Sequence, residues 1–287
     1  MTTLSRRQFA KISVGAAAGL ATQPWTWAAP ARGAKLPVAL QLYSVRNDCK
    51  ADFDATLARV AKLGFEGVEF AGYYGYADRA RDLRKKLDEL GLKSAATHIP
   101  TGSFRGDNLA KTIDFHQAIG CKFLIVPGDK DFTDPEKSKV LAELFNEVSA
   151  KLKPLGLACG YHNHSKEFTT KFGDKTAFDT FAERTRQEVV LQQDCGWTAD
   201  AGFNPVDVMK RYPGRFGSTH FKPTVVGKDP SKKAIIGQDS VNWVAVLAAC
   251  RSVGGTKWIT LEQEVYPDGK TPMECTELSF RALQKIL

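Results

Sequence analysis

The stretch that decides the fold is Leu155-Gly156-Leu157-Ala158-Cys159-Gly160-Tyr161-His162-Asn163-His164, an apolar run that ends in two histidines. Alternate side chains of a strand share one face, so the two imidazoles would lie on the same side of the strand end. Imidazole binds metal ions and transfers protons near neutral pH. The run predicts a strand that presents a metal or acid–base site at its end, although a surface histidine pair at a strand-to-loop junction would show the same pattern.

Short apolar runs alternate with longer amphipathic segments along the rest of the chain. Strands are predicted at 36–43, 67–70, 92–97, 121–126, 157–162, 189–194, 216–222 and 258–262, and helices at 53–63, 78–90, 108–119, 135–152, 176–185, 205–211, 241–253 and 271–287. Eight strand–helix units in about 250 residues, without a linker, favour a single (β/α)8 TIM barrel. A doubly wound open sheet is the alternative, but it needs fewer units and usually a Gly-rich phosphate loop, which the sequence lacks.

The N-terminus differs in kind from the body. Ser5-Arg6-Arg7-Gln8-Phe9-Ala10-Lys11 precedes a mildly apolar Gly/Ala-rich segment and small residues around Ala28 to Ala31. This segment resembles a twin-arginine export signal, whereas an amphipathic helix would need a charged face. We expect residues 1–31 to be a signal peptide, residues 32–287 to be the barrel, and the location to be the periplasm. Because such export carries folded proteins, often with a cofactor inserted, the resemblance fits a metalloprotein.

Charge and cysteine content exclude several classes of function. The formal net charge is +8, three of the cations lie in the export segment, and no basic run interleaved with aromatics indicates a nucleic-acid groove. No apolar run in the body is long enough to span a bilayer, so we expect no stable membrane association after export. The six cysteines are scattered and lack the close pairs of zinc ribbons or redox motifs. Several should be small buried hydrophobes, and a disulfide between distant cysteines stays open.

Polar and ionisable residues collect at the C-terminal ends of the predicted strands, where barrel enzymes carry their active sites. They are Gln41, Tyr43, Glu69, His98, His162, His164, Asp194, His220, Lys222, Glu262 and Glu264. Four of the five histidines belong to this set, and the fifth, His116, lies within a predicted helix and should be structural. Chance placement would have scattered these residues over helices and loops.

The alternation along four strands indicates which side chains face inward. His162, Asp194, His220 and Glu262 share their faces with small or polar residues, while the opposite faces carry large apolar ones. A site of two imidazoles and two carboxylates suits Mn²⁺, Zn²⁺, Co²⁺ or Fe²⁺ better than Mg²⁺ or Ca²⁺. Such an ion could polarise a carbonyl and stabilise the charge that develops when an adjacent C–H proton is removed. The simpler alternative for the carboxylates is an ion pair with Lys222.

Several motifs together resemble the xylose-isomerase-like barrel superfamily of sugar isomerases and epimerases. They are Leu40-Gln41-Leu42-Tyr43-Ser44-Val45-Arg46, Gly64-Phe65-Glu66-Gly67-Val68-Glu69, Tyr161-His162-Asn163-His164, Asp194-Cys195-Gly196-Trp197, Arg215 to Lys222, and Ile259 to Glu262. The resemblance covers essentially the whole mature chain and implies one divalent metal ion held by His162, Asp194, His220 and Glu262. His164 would then be a pocket or supporting group, unless the order of the two histidines is swapped.

The sequence departs from the best-studied epimerases of that superfamily at two positions. His162 stands where they use a glutamate, and Pro223 replaces the aspartate of their His-x-Lys-Asp motif. A metal-bound histidine cannot shuttle protons as a carboxylate does, so two-base epimerisation is in doubt.

The remaining candidates divide into two predicted roles. Acid–base roles are predicted for Glu262, His164, Glu167, His98 and Lys222, and substrate contacts for Gln41, Tyr43, Glu69, Trp197 and Glu264. The alternatives are surface ion pairs for the charged residues and core packing for Tyr43 and Trp197.

The leading hypothesis is a periplasmic, divalent-metal-dependent sugar isomerase or epimerase that removes a proton next to a metal-polarised carbonyl. A lyase or hydratase acting on a 3-keto-sugar or 3-keto-glycoside is the alternative on the same site, because elimination needs only one base. A barrel endonuclease of the same superfamily is a third interpretation, but its multi-metal site would need more histidines than the five in this sequence, and a basic groove. A non-catalytic periplasmic sugar-binding protein would keep the aromatic residues without needing the four ligands.

Overall fold

The computed structural model describes residues 35–287, so the predicted export signal lies outside the described residues. Eight parallel strands form a closed barrel: β1 Val38–Gln41, β2 Gly67–Phe70, β3 Lys93–His98, β4 Phe123–Val126, β5 Ala158–His162, β6 Val190–Asp194, β7 Ser218–Phe221 and β8 Trp258–Leu261. They follow one another in chain order around the barrel, and pairing of β1 with β8 closes it. The predicted TIM barrel is confirmed, and the open sheet is excluded.

Eight longer helices cover the outside of the barrel. They are α1 Phe53–Leu63, α2 Ala80–Leu90, α3 Asp107–Ile119, α4 Lys137–Leu152, α5 Ala177–Arg184, α6 Pro205–Arg211, α7 Trp243–Ala249 and α8 Pro272–Gln284. Local sequence explains their ends: the Asp52 side chain accepts the N–H of Ala55 at the start of α1, and Gly64, with φ of 102°, ends that helix. All eight overlap their predicted positions.

The structure adds short elements that the sequence did not predict. They include the helices Arg46–Ala51, Lys166–Thr169 and Cys195–Asp200 and the antiparallel hairpin of Lys171–Phe172 with Lys175–Thr176. The end of the helix predicted at 241–253 is π-helical, over Cys250–Gly254. The first predicted strand also ends early, at Gln41, where a 3₁₀ turn over Leu42–Val45 begins. Elements of this length do not complete a periodic pattern, so the sequence gives no signal for them.

Outward-facing side chains of the strands pack against the helices, as their alternation predicted. The ring of Tyr161 stacks on Phe132 with centroids 4.2 Å apart, and the ring of Phe221 stacks on Trp243 at 4.8 Å. Leu191 and Leu261 belong to the same buried layer. The faces that carry the candidate ligands therefore point into the barrel.

The N-terminal half of the barrel interior is filled by an apolar plug, consisting of Ala96, Phe123, Ile125, Ala158, Val190 and Trp258. Glycines make room for it. A Cβ atom on Gly160 would lie 2.5 Å from the carbonyl oxygen of Val190, and one on Gly217 would lie 2.8 Å from the ring of Phe123. The plug closes the barrel at the N-terminal ends of the strands, and polar side chains fill the half at the C-terminal ends.

All six cysteines are buried, and none forms a disulfide. Burial raises the pKa of the Cys250 thiol to about 11, which keeps it protonated. The expectation that these residues act as small hydrophobes is confirmed. Between residues 35 and 287, no helix has the length and apolar character needed to cross a membrane.

Candidate metal centre

Four buried side chains converge above the apolar plug. His162, Asp194 and His220 lie near the ends of β5, β6 and β7, and Glu262 follows β8. Their potential ligand atoms all lie within 4.8 Å of one another. The structure thus brings together the four residues for which the sequence predicted metal ligation, on strand ends that the closed barrel holds rigidly.

Asp194 is the residue whose surroundings fit a bound cation best. Its Oδ1 atom accepts the N–H of Trp197 at 2.8 Å, as the N-cap of Cys195–Asp200. Its Oδ2 atom is buried, lies 3.9 Å from His162 Nε2, and has no hydrogen-bond partner within residues 35–287. Burial raises the pKa of Asp194 to about 7, although Lys222 opposes the shift. A carboxylate oxygen left unpaired in the interior is destabilising, and a bound cation would remove that penalty.

His162 is the neutral partner in this group. Its Nδ1 atom lies 3.1 Å from Gln192 Oε1, and its Nε2 atom faces Asp194. Burial lowers the pKa of His162 well below its usual range, and the neighbouring His220 lowers it further. Neutral imidazole is the form that binds metal ions, so His162 is prepared for that role.

His220 lies between two carboxylates. Its Nε2 atom donates to Glu69 Oε1 at 2.7 Å, and its Nδ1 atom donates to Glu262 Oε2 at 2.9 Å. Burial alone would lower the pKa of His220, but the two carboxylates raise it to about 10. Burial likewise opposes ionisation of Glu262, yet His220 lowers the pKa of this carboxyl to about 2. The Nδ1 proton of His220 must therefore leave when a metal ion binds there.

A cavity of about 460 Å³ opens above the four residues. Six residues that the sequence singled out line it: Tyr43, His98, His162, His164, Glu262 and Glu264. The rest of the wall is mainly small or apolar, and includes Ala71, Ile99 and Pro127. The volume and the mixture of polar and apolar lining suit a small polar molecule.

Lys222, Trp197 and His164 lie close together near the centre, and of these three only His164 lines the cavity. Lys222 donates a hydrogen bond from Nζ to Glu264 Oε2, and this Nζ lies 3.9 Å from the centroid of the Trp197 ring. Burial lowers the pKa of Lys222, but Asp194, Glu262 and Glu264 together raise it above its ordinary value. His164 is half-buried, with its ring 5.7 Å from that of Trp197. Lys222 is therefore a fixed cation beside the cavity.

Gln41, Glu69 and Glu167 are among the predicted site residues that do not line the cavity. Gln41 and Glu69 lie fully buried beneath it, where Gln41 Nε2 donates to Glu69 Oε1 at 2.7 Å. Glu167 accepts the backbone N–H of His164 at 2.8 Å and the hydroxyl of Tyr161 at 3.3 Å. Protein donors contact the polar atoms of these three side chains, so the substrate contacts of Gln41 and Glu69 and the acid–base role of Glu167 stay predictions that this geometry does not support.

Sequence reasoning also missed supporting residues. Gln192 connects Glu69, His98 and His162, and its amide nitrogen also donates to Ser218 Oγ at 3.0 Å. Asn163 Oδ1 accepts the backbone N–H of Asp194 at 3.1 Å, which ties the end of β5 to that of β6. Polar residues at inward positions of apolar strands were the available signal for Gln192.

His116 has the structural role that the sequence predicted. It is buried in α3, where Nδ1 donates to the carbonyl of Thr112 at 2.6 Å and Nε2 accepts the hydroxyl of Tyr73 at 2.6 Å. Burial lowers the pKa of His116 to about 4.

Comparison with known proteins agrees with this fold. A family model described as xylose isomerase-like TIM barrel matches residues 57–285. An inosose dehydratase of Clostridium botulinum (strain Alaska E43 / Type E3) is 23% identical over 261 residues, which cover 77% of this chain and 85% of that protein. A sugar phosphate isomerase/epimerase from Parabacteroides distasonis superposes with a TM-score of 0.72 at 25% identity, over 88% of this chain and 98% of that one. The IolI protein, whose crystal structure contains a zinc atom, shares the fold with a TM-score of 0.65 at 14% identity, over 88% and 98% of the two chains.

Proposed function

This chain belongs to the xylose isomerase-like TIM barrel family, as its strand-end motifs predicted, and from that premise we propose that it is a metal-dependent enzyme that removes a proton next to the carbonyl of a keto-sugar. The unpaired Oδ2 atom of Asp194, buried among His162, His220 and Glu262, carries the proposal. Relatives named inosose dehydratase and sugar phosphate isomerase/epimerase support a small sugar-like substrate.

The donor set fits one divalent ion of the Mn²⁺, Fe²⁺, Co²⁺ or Zn²⁺ type, because two imidazoles accompany two carboxylates. An ion held by His162, Asp194, His220 and Glu262 would polarise the substrate carbonyl and acidify the neighbouring C–H bond. All four side chains are buried, and two of them, His162 and Glu262, also line the cavity.

Among the ionisable residues that line the cavity, His162 and Glu262 are candidate ligands and His98 is hydrogen-bonded to Gln192. His164 and Glu264, the latter predicted as a substrate contact, are therefore the cavity residues left for proton transfer. Within the described chain, the ring nitrogens of His164 have no protein hydrogen-bond partner, and burial lowers the pKa of this histidine, so its neutral ring can accept a proton. Glu264 is ion-paired with Lys222, which can donate a proton or stabilise an oxygen anion on the substrate. Together these residues provide a base and an acid beside the centre.

Elimination is the second candidate outcome, and His162 favours it. Its two ring nitrogens are engaged by Gln192 and the centre, so it cannot serve as the second base that epimerisation requires. In an elimination, one base takes the proton next to the carbonyl, the C=C bond forms, the C–O bond at the next carbon breaks, and the departing oxygen takes a proton. The dehydratase name of the C. botulinum relative agrees with such a step. Inososes and 3-keto-glycosides are the substrates to test first.

Metal analysis of the purified full chain tests the centre. We expect about one divalent ion per chain in the wild type and its loss in Asp194→Asn. Asp239→Asn is the matched control, because Asp239 is a carboxylate outside the centre that accepts the indole N–H of Trp243 at 2.8 Å. A wild type that binds no metal ion but still binds sugar would contradict the proposal and favour a non-catalytic binding protein.

Reaction in deuterated water tests the chemistry. Incubation with ketoses, inososes and 3-keto-glycosides should lead to deuterium exchange next to the carbonyl, detected by NMR. Isomerisation or epimerisation leaves the composition of the substrate otherwise unchanged, whereas elimination releases water or an alcohol and leaves an unsaturated ketone. Absence of exchange with every keto-sugar would exclude proton abstraction on this class.

The location belongs to the same proposal. The twin arginines Arg6 and Arg7 support export of the folded, metal-loaded chain to the periplasm. Cell fractionation of the wild type and of the double variant Arg6→Lys/Arg7→Lys tests it, and retention of both proteins in the cytoplasm would contradict it.

A further inference from the structure

We propose that Glu69 is a positioning residue that, with Gln192, fixes which nitrogen of His162 and of His220 carries a proton and which is free to bind a metal ion. The inference rests on the proposed metal function for one of its two readouts. The other readout concerns the metal-free protein alone.

Above the apolar plug lies a polar layer of hydrogen-bonded side chains, consisting of Gln41, Glu69, His98, Gln192, Ser218 and Thr260. Glu69 is its central acceptor. It is fully buried, and its Oε1 atom lies 2.7 Å from Gln41 Nε2, 2.7 Å from His220 Nε2 and 2.8 Å from His98 Nε2. Its Oε2 atom lies 2.8 Å from Gln192 Nε2 and 3.4 Å from Ser218 Oγ. An ionised carboxylate accepts hydrogen bonds and donates none, so each of these neighbours must donate to it.

This requirement fixes the orientation of the Gln192 amide. Its NH₂ group must point to Glu69, so its carbonyl oxygen points to the other side, where it lies 3.1 Å from His162 Nδ1 and 2.8 Å from His98 Nε2. The carbonyl only accepts hydrogen bonds, and therefore the proton of neutral His162 lies on Nδ1. Its Nε2 atom, on the side of Asp194, keeps a free lone pair.

The same carboxylate acts directly on His220. Glu69 Oε1 holds a proton on His220 Nε2, so Nδ1, which lies 2.9 Å from Glu262 Oε2, is the nitrogen that would lose its proton to solvent and bind a metal ion. One buried carboxylate thereby prepares the two histidine ligands, one through a direct hydrogen bond and one through Gln192. Carboxylates that orient metal-binding histidines in this way strengthen metal affinity.

Glu69→Gln should disrupt this pattern, because an amide has a donor end and an acceptor end. An NH₂ group in place of Oε1 would face the N–H groups of His220, Gln41 and His98, whereas in place of Oε2 it would face mainly Gln192. The second arrangement has fewer conflicts and makes Gln192 rotate. The rotated Gln192 presents its NH₂ group to His162 Nδ1, so the His162 proton moves to Nε2 and blocks the metal-facing nitrogen.

The exchange Glu69→Gln/Gln192→Glu should restore the pattern. A carboxylate at position 192 accepts from His162 Nδ1, and the amide at position 69 can direct its oxygen to His220 and its NH₂ group to position 192. The number of buried charges equals that of the wild type. Recovery of the His162 tautomer and of Zn²⁺ affinity in the double variant would thus show that the direction of the hydrogen bonds matters, and that a glutamate at position 69 itself is not required.

The experiment uses the full chain, treated with chelator, with ¹⁵N-labelled histidine. NMR spectra distinguish Nδ1–H from Nε2–H imidazole, and His116, whose Nδ1 donates to Thr112, is an internal reference outside the centre. We expect Nδ1–H for His162 in the wild type and the double variant, and Nε2–H in Glu69→Gln. Zn²⁺ affinity, measured by competition with a chelating dye, should fall about 10- to 100-fold in Glu69→Gln and largely recover in the double variant.

Two outcomes would overturn the inference. A wild-type His162 that carries its proton on Nε2 contradicts it, whether or not the variants fold. An unchanged tautomer and unchanged Zn²⁺ affinity in Glu69→Gln contradict it as well. A wild type that shows the expected tautomer but binds no Zn²⁺ would sink the proposed function and leave the positioning role of Glu69 supported.

Discussion

The two halves of the barrel interior are built from the same strands yet have opposite character. Along β6, the inward positions are Val190 in the apolar plug, Gln192 in the polar layer and Asp194 in the metal centre. Along and just beyond β8 they are Trp258, Thr260 and Glu262. On each strand, the first of the three inward positions packs in the plug, the second forms hydrogen bonds in the polar layer, and the third is a candidate metal ligand.

This difference indicates how the fold tolerates a costly site. Apolar burial in the plug contributes about 25 cal/mol per Å², whereas an unpaired buried carboxylate such as Asp194 destabilises the folded chain. Substitutions in the plug should therefore reduce stability and preserve metal binding. Substitutions of the metal-centre residues in the upper half should abolish metal binding without reducing the stability of the metal-free chain.

Phe123→Ala should have the largest effect on stability. Phe123 is 2% exposed in the plug, and truncation of a buried Phe costs about 3–5 kcal/mol. Urea unfolding measures the loss, and metal content should stay at the wild-type level. Val140→Ala, at a position that is 58% exposed, is the control and should change stability by less than about 0.5 kcal/mol. Loss of metal binding in folded Phe123→Ala would break the separation between the two halves.

Acid should destabilise the chain through His116, which belongs to neither half. The pKa of His116 is lowered to about 4 in the folded protein, below the ordinary value of 6.5, so the unfolded chain binds a proton first as pH falls. Protonation of His116 should lower the free energy of unfolding by up to about 3 kcal/mol between pH 6.5 and pH 4. Urea unfolding of the wild type and of His116→Gln across this range measures this contribution as the difference between their two pH slopes. An equal slope in the variant would assign the acid sensitivity to the centre instead.

Gly160→Ala should strain the boundary between plug and polar layer. The added Cβ would lie 2.5 Å from the carbonyl oxygen of Val190 and 2.8 Å from Ile125 Cδ1. Overpacking of this kind costs about 1–3 kcal/mol, measured by urea unfolding. Gly102→Ala is the matched control, because its Cβ would meet no atom within 4 Å. Equal stability of the two variants would contradict tight packing around Gly160.

Asp194→Asn should have an effect of the opposite sign, and only in the metal-free protein. The pKa of Asp194 is raised to about 7, above its ordinary value of 3.8, so the metal-free wild type loses stability as pH rises through this range. At pH 8 the metal-free variant should be more stable by up to about 4 kcal/mol, and at pH 4 the difference should nearly vanish. Thermal unfolding measures both values. A variant that is less stable at pH 8 without metal would show that Asp194 has a favourable partner in the folded state.

Much of the fold and the centre could be predicted from local patterns. Apolar runs followed by glycine-ended helices predicted the barrel, and strand alternation placed His162, Asp194, His220 and Glu262 on inward faces, where the structure finds them. Both inferences depend on periodicity within one strand or helix, which a single sequence records.

The partners of Gln41, Glu69 and Glu167 could not be predicted in the same way. Glu69 bonds to Gln192 and His220, which lie 123 and 151 residues away in sequence. Such contacts depend on the register and tilt of strands on different sides of the barrel, which no local pattern encodes. A carboxylate at a strand end therefore looks the same in sequence whether it faces substrate or supports a ligand.

The six buried, free cysteines give the chain its own reporters of conformational opening. Cys159 lies in β5, where its thiol donates to the carbonyl of Phe145, while Cys275 lies in α8. A thiol-specific reagent can react with each one only when the surrounding structure opens. Labelling followed by mass spectrometry would therefore compare local opening of the outer helices with global unfolding of the barrel, without any engineered probe.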